Sequence, residues 1–108
     1  MTYIFLTPEI GRMGGAQMYV FNKSTYLKSK GWQVKICYCV QSELLIKKYK
    51  EFDCFFIPEM AWGIQYYLPC RVKRVVKQVS SLLAIHDNNI VIESCLFHLA
   101  FWGELLAS

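Results

Sequence analysis

Three glycines between a strand pattern and a helix pattern constrain this chain more than any other feature. Residues 3–6 form a short apolar run, and Thr7-Pro8 ends it because proline cannot donate to a sheet ladder. Gly11, Gly14 and Gly15 follow closely, and a helix pattern begins directly after them. The chain therefore opens with a strand, a glycine-bearing loop and a helix, which is the first unit of an α/β fold.

The glycine loop is the strongest candidate for a substrate- or phosphate-binding site. A helix N-terminus presents unpaired N–H groups and the positive end of the helix dipole, so it attracts anions, phosphate above all. Gly14 and Gly15 let a ligand approach the backbone closely, and Arg12 adds a charge-assisted contact in this interpretation. The structural alternatives are a tight turn that leads into the helix, and a solvated Arg12.

Two glycine signatures do not fit this loop. The dinucleotide fingerprint requires G-x-G-x-x-G and an acidic residue at the end of the second strand, whereas this chain has G-x-x-G-G and Cys39-Val40-Gln41. The phosphate loop G-x-x-x-x-G-K-[ST] requires a Lys-Ser or Lys-Thr pair that does not follow these glycines. The sequence thus disfavours NAD binding and P-loop chemistry.

The first helix pattern ends at Gly31 and contains one residue that interrupts its apolar side. Ala16, Val20 and Leu27 form a narrow aliphatic stripe at helical spacing. Lys23 falls beside this stripe, where a helix that packs on a sheet normally places an apolar group. We expect either that its stem reaches the edge of the sheet or that the helix is rotated slightly.

Strand and helix patterns alternate over the rest of the chain. The predicted strands are too far apart for hairpins, so crossover connections and a parallel sheet are expected. We predict one domain over residues 1–108, an α/β fold with a Rossmann-like, doubly wound parallel sheet flanked by helices. The later strands are predicted at 33–40, 52–57 and 90–92, the later helices at about 43–50, 71–84 and 95–107, and a loop at 58–69.

Glu93 and Ser94 come at the end of the fourth predicted strand. Ligands of doubly wound sheets bind beyond the carboxyl ends of strands. These two residues and the glycine loop are therefore candidates for ligand binding. The alternative for Glu93, which the sequence favours, is that its carboxylate caps the helix that follows.

A basic helix face and an aromatic loop suggest a membrane surface. Arg71, Lys73, Arg74 and Lys77 lie opposite a row of valines and leucines, and Trp62 precedes them in a loop rich in aromatic residues. Such a helix can lie on an anionic membrane. The alternative is an ordinary amphipathic helix with a solvated basic face.

Nucleic-acid binding is disfavoured because the net charge of +4 is modest and no recognition motif occurs.

Composition excludes several classes of protein. No apolar run is long enough for a transmembrane helix, and the N-terminus lacks the features of a signal peptide. The five cysteines are an odd number without a C-x-x-C pair, which favours core thiols in a reducing cytosol and predicts no zinc site and no cofactor. The last residues form a helix pattern without a cap, from which we expect a truncated chain.

The glycine loop and the passage after it resemble the N-terminal segment of family 4 retaining glycosyltransferases, which have the GT-B fold. That family commonly shows a Gly-Gly-Ala-Glu/Gln element, matched here by residues 14–17, and a K-x-G-H-x-V-like passage, matched by residues 28–34 with Trp32 in place of His. The chain departs from the family pattern at Lys23, where Leu is favoured, and at Glu93, where the strand end often has His nearby.

The resemblance implies an incomplete GT-B N-terminal domain with the nucleotide-sugar-binding domain absent. It implies transfer of a sugar from a nucleotide-sugar donor to an acceptor glycan or lipid-linked sugar, with this fragment inactive alone. The expected location is cytoplasmic, with peripheral contact to the inner face of the plasma membrane as an alternative. A competing interpretation is a non-catalytic α/β binding or assembly module, because an unfinished sheet exposes an edge that can pair with another chain.

Overall fold

Four parallel strands form a single sheet in the computed structural model, which describes residues 1–7, 15–40, 52–83, 90–95 and 97–107. The strands are β1 (Thr2–Thr7), β2 (Gln33–Tyr38), β3 (Asp53–Phe56) and β4 (Ile90–Ser94), and their spatial order is β3-β2-β1-β4. Every pairing is parallel, which confirms the predicted α/β fold with a parallel sheet.

Three α-helices of the described ranges cover the two faces of this sheet. They are α1 (Gly15–Ser29), α2 (Pro69–Leu82) and α3 (Phe97–Ala107). On one face, Val20 and Leu27 of α1 pack with Phe5 of β1. On the other face, α2 and α3 pack against alternate strand residues, with Trp102 of α3 almost fully buried. Because helices lie on both sides, all residues of β1 from Tyr3 to Thr7 are buried, and this explains its unbroken apolar run.

The end of α1 has the conformation that its sequence predicts. Gly31 has a φ of +88°, in the left-handed region that favours glycine. The N–H of Gly31 donates to the Lys28 carbonyl at 3.1 Å, and the N–H of Trp32 donates to the Leu27 carbonyl at 3.0 Å. These bonds occupy carbonyls that the helix end would otherwise leave unpaired, and they direct the chain into β2.

Several predicted boundaries require correction. The segment predicted as a loop contains two 3-10 helices, Pro58–Ala61 and Ile64–Tyr66, and the first of them buries Met60 in the core. The helix after it begins at Pro69, since proline suits a first helical turn, and ends at Leu82. Leu82 was predicted for the apolar face but is 52% exposed, because α2 ends there and Leu83 fills the core position instead.

Other predicted elements differ from the observed ones only at their ends, and one predicted helix has no described residues to compare it with. Strand two ends at Tyr38 and strand three at Phe56, both earlier than expected, whereas strand four extends to Ser94 and the last helix starts at Phe97. The short helix predicted at 43–50 lies outside the described residues.

The second strand contains a lysine on its buried side. Lys35 is only 8% exposed, and its ammonium donates a hydrogen bond to the carbonyl of Leu83, the residue that caps the C-terminus of α2. A cation is favourable at the negative end of a helix dipole, so the charge is compensated while its apolar stem packs in the core.

Candidate functional site

The carboxyl ends of β1 and β4 lie side by side at one edge of the sheet. Phe5 pairs with Glu93 and Leu6 with Ser94, and the N–H of Cys95 donates to the Leu6 carbonyl at 2.9 Å. The chain passes from β1 to β2 on one side, while β4 occupies the other side, so the boundary between β1 and β4 is the topological switch point. Ligands of open α/β sheets bind at such a point.

The predicted glycine loop falls between the end of β1 at Thr7, which lies at this switch point, and the start of α1. Gly15 is the first residue of α1. Gly14 and Arg12 lie outside the described residues, so their predicted contacts with a substrate or phosphate stay predictions.

Glu93 and Ser94 project from opposite faces of the sheet, because neighbouring residues of a strand alternate. Ser94 lies on the side of α3, where its hydroxyl donates to the Leu99 carbonyl at 3.2 Å. Glu93 lies on the side of α1 with Phe5. The two predicted site residues therefore do not converge on one point, although the backbone of both lies at the switch point.

Glu93 forms an ion pair with Lys23 of α1. The Lys23 Nζ lies 2.7 Å from the Glu93 Oε1, and the hydroxyl of Tyr3 donates a hydrogen bond to the same oxygen. Lys23 Nζ also donates to the Tyr19 hydroxyl at 3.0 Å and lies 4.9 Å from the centre of the Tyr3 ring. We call these four residues the Lys23 cluster. The helix-capping interpretation of Glu93 is thus replaced by a link between β4 and α1.

The Lys23 cluster holds its charges in their ionised forms. Burial alone raises the pKa of the Glu93 carboxyl, but the hydrogen bonds from Lys23 and Tyr3 outweigh it and leave that pKa below its ordinary value. The hydrogen bond to Glu93 raises the pKa of the Lys23 ammonium. Burial, followed by the hydrogen bond to Glu93, raises the pKa of the Tyr3 phenol. At neutral pH neither Glu93 nor Lys23 is poised for proton transfer, so the cluster suits a structural or electrostatic role.

The cluster explains the position of Lys23, which interrupts the apolar stripe of its helix. Glu93 was predicted to follow the fourth strand, but the structure includes it in β4, and the register places it on the face that α1 covers. There the charges of Lys23 and Glu93 neutralise each other. The signal available in the sequence was the opposite sign of these two charges, each next to an apolar stretch.

Three of the described thiols, those of Cys37, Cys39 and Cys95, are unsuited to nucleophilic chemistry at neutral pH. Burial raises the pKa of Cys37 to about 12 and that of Cys39 to about 11. Burial likewise raises the pKa of Cys95, next to the switch point, to about 11, and the nearby Glu93 charge acts in the same direction. Because the thiolate is the nucleophile, these cysteines behave as core residues.

The basic residues of α2 are all on the surface. Arg71, Lys73, Arg74 and Lys77 are exposed, as the amphipathic pattern predicts, while Val75 and Val79 are buried. Trp62 is 62% exposed, in the segment that leads to the helix. A groove of about 410 Å3 runs along one side of α2, lined by Glu59, Leu68, Cys70, Arg71, Arg74, Val75 and Gln78.

The described part of the chain contains neither a cluster of metal ligands nor a helix that could span a membrane. Among the described residues, no three His, Cys, Asp or Glu side chains are grouped so that they could hold a metal ion. No helix in the described ranges has both the length and the apolar character needed to cross a membrane.

Comparison with known proteins identifies no relative. No protein-family model, no curated protein and no solved structure matches this chain. Functional inference therefore rests on the residues and their geometry.

Proposed function

We propose that the chain is the N-terminal, acceptor-side domain of a retaining glycosyltransferase with the GT-B fold. The observation that supports this proposal is the position of the two elements that the glycine-bearing sequence connects. β1 ends at Thr7 beside β4, α1 begins at Gly15, and the G-x-x-G-G-A-Q sequence spans the segment between them. Doubly wound sheets bind ligands beyond the carboxyl ends of such strands. The reaction would transfer a sugar from a nucleotide-sugar donor to an acceptor hydroxyl.

This domain would contribute to the reaction mainly by electrostatic stabilisation of the leaving group. As the nucleoside diphosphate leaves, negative charge grows on its phosphate oxygens, and N–H groups at the start of α1 would stabilise that charge. A second domain beyond these 108 residues would hold most of the nucleotide, so the chain alone should not turn over. The acceptor would be a glycan or a lipid-linked sugar, and exposed Trp62, Arg71 and Lys73 suit contact with an anionic membrane surface.

Calorimetry with UDP and GDP tests the proposal. The 108-residue chain is compared with a protein extended through whatever coding sequence follows it, and release of nucleoside diphosphate from sugar donors is measured in parallel. We expect turnover only in an extended protein that carries a second domain. Gly14→Val should abolish that turnover, while the control Gly31→Asn should retain it because Gly31 lies at the far end of α1.

Tight nucleotide binding by the 108-residue chain alone would contradict the proposal. That result would instead indicate a self-contained nucleotide-binding module.

A non-catalytic assembly module is the second candidate, and the edge of the sheet supports it. In the described sheet β4 has β1 as its only neighbour, and Val91 within β4 is 36% exposed. Tyr19 and Tyr26 on α1 are 48% and 60% exposed. An unpaired strand next to apolar side chains is a template for another chain. A stable dimer in sedimentation equilibrium, lost on Val91→Lys, would favour this candidate.

A further inference from the structure

Tyr67, which contacts the groove residue Arg71, is held in place by the core. Tyr67 donates its hydroxyl to the Glu59 carbonyl at 2.8 Å, and its ring lies edge-on to Trp102, with the ring centres 6.1 Å apart. Trp102 is 1% exposed, and its indole N–H donates to the Trp62 carbonyl at 2.9 Å. The segment opposite α2 is therefore tied to the buried core at several points.

Arg71 lines the groove and is held against the ring of Tyr67. Its guanidinium carbon lies 5.2 Å from the centre of the Tyr67 ring, within the range of a cation–π contact. Since Tyr67 is itself fixed by two contacts, the rotamer freedom of Arg71 is reduced before any ligand arrives. Binding through a preorganised side chain loses less entropy than binding through a free one.

Two arginines share the groove without a carboxylate to neutralise them. Arg71 and Arg74 are one helical turn apart and both line the groove, as does Gln78 a turn further on. Neither guanidinium forms an ion pair with any residue in the described ranges. Glu59 also lines the groove but lies beyond ion-pair distance of both arginines, so the lining carries a net charge of +1.

The residues that line the groove favour one chemical class of ligand. A phosphate monoester carries about −1.5 to −2 charges at pH 7 and three acceptor oxygens, which match two guanidinium forks. Glu59 repels a phosphate, so the part of the ligand that faces Glu59 and Gln78 should carry hydroxyl groups, which can donate to a carboxylate oxygen and to an amide oxygen. The volume of about 410 Å3 falls within the range of about 300–1,000 Å3 that small-molecule sites occupy.

We propose that this groove binds a hydroxylated phosphate monoester, with Arg71 and Arg74 on the phosphate and Glu59 and Gln78 on the hydroxyl groups. The site is separate from the glycine loop, and the proposal does not depend on glycosyl transfer. The ligand is either a soluble phosphate ester or the phosphate monoester headgroup of a lipid.

The test compares two double variants of the 108-residue chain that remove the same charge from the same helix. Arg71→Gln with Arg74→Gln removes both cations of the groove. Lys73→Gln with Lys77→Gln removes two cations that do not line it, because the 100° step of the helix points them away from Arg71. All four side chains are exposed, so both variants should fold, and circular dichroism checks this.

Binding of glucose 6-phosphate and of inorganic phosphate is measured by calorimetry. We expect saturable binding, tighter for glucose 6-phosphate, that is weakened at least tenfold in the arginine variant and less than twofold in the lysine variant. Competition by phosphatidylcholine vesicles that contain phosphatidylinositol 4-phosphate, whose headgroup carries a phosphate monoester and ring hydroxyl groups, would identify a lipid headgroup as the source, and its absence would identify a soluble ester.

Three results would overturn the proposal. Equal weakening in the two variants would show diffuse attraction by the basic helix. Absence of saturable binding would show that no site exists. Tighter binding of inorganic phosphate than of glucose 6-phosphate would exclude the hydroxyl contacts of Glu59 and Gln78.

Discussion

Glu93→Gln removes the charge that holds Lys23 against the sheet while leaving the size of the side chain nearly unchanged. The side chains of Lys23 and Glu93 are 32% and 24% exposed, so the pair is intermediate between a surface and a buried ion pair. Exposed pairs contribute about 0.2–1 kcal/mol, and hydrogen bonds to charged groups about 1.5–3 kcal/mol. We therefore expect Glu93→Gln to lower the free energy of unfolding by about 1–2 kcal/mol.

This loss should depend on pH in a defined direction. The folded-state pKa of Glu93 is lowered, so its contribution is fully present above the unfolded value of about 4.3 and is lost as the pH falls through the folded value. The folded-state pKa of Lys23 is raised, so its contribution is present below the unfolded value of about 10.4. The difference in Tm between wild type and Glu93→Gln should be constant from about pH 6 to about pH 9 and should close in acid.

Thermal unfolding followed by circular dichroism measures the effect. A loss of about 1 kcal/mol lowers the Tm of a domain of this size by about 4–8 °C. A double-mutant cycle with Lys23→Met isolates the pairwise energy, which we expect to be about 1 kcal/mol, and Lys73→Met on the surface of α2 is the matched control. A coupling energy below about 0.3 kcal/mol, or a Tm difference that persists in acid, would refute the reasoning.

Three further predictions concern single positions. Lys35→Ala should lower the free energy of unfolding by about 2–3 kcal/mol in urea titrations, because it removes a buried stem and the charged donor to the Leu83 carbonyl, whereas Lys35→Met should lose less than half as much. Gly31→Ala should lower it by about 1 kcal/mol through its φ of +88° alone, since nothing lies within 4 Å of the added methyl group, and Gly31→Asn should lose less. Exposed Cys70 should react first with a thiol reagent followed by mass spectrometry, while buried Cys37, with its pKa raised to about 12, should react only on unfolding.

The elements that depend on local pattern could be predicted from the sequence. The apolar run of β1 and the glycine that ends α1 follow from side-chain burial and backbone φ, which are properties of a few consecutive residues. Spacing between strands likewise predicted crossover connections and hence a parallel sheet. The amphipathic α2 was predicted as well, apart from Leu82 at its end, where a shift of one residue moves a side chain from core to solvent.

The candidate sites could be predicted only in part. The rule for strand ends located Glu93 and Ser94 at the switch point, but alternation along β4 directs their side chains to opposite faces. The groove of Arg71 and Arg74 was visible in the sequence only as a basic helix face, because its other wall comes from the 3-10 segment near Glu59.

What the sequence by itself determined is the four described strands, the three described α-helices and the parallel arrangement of the strands, because periodicity and glycine positions act over short stretches of chain. Only the tertiary structure decided the partners of the charged residues. Lys23 and Glu93 are separated by 70 residues, and Lys35 and Leu83 by 48, so each pairing depends on the strand order and on which helix covers which face. A charge pattern in sequence shows that a partner is needed, and the fold determines which residue supplies it.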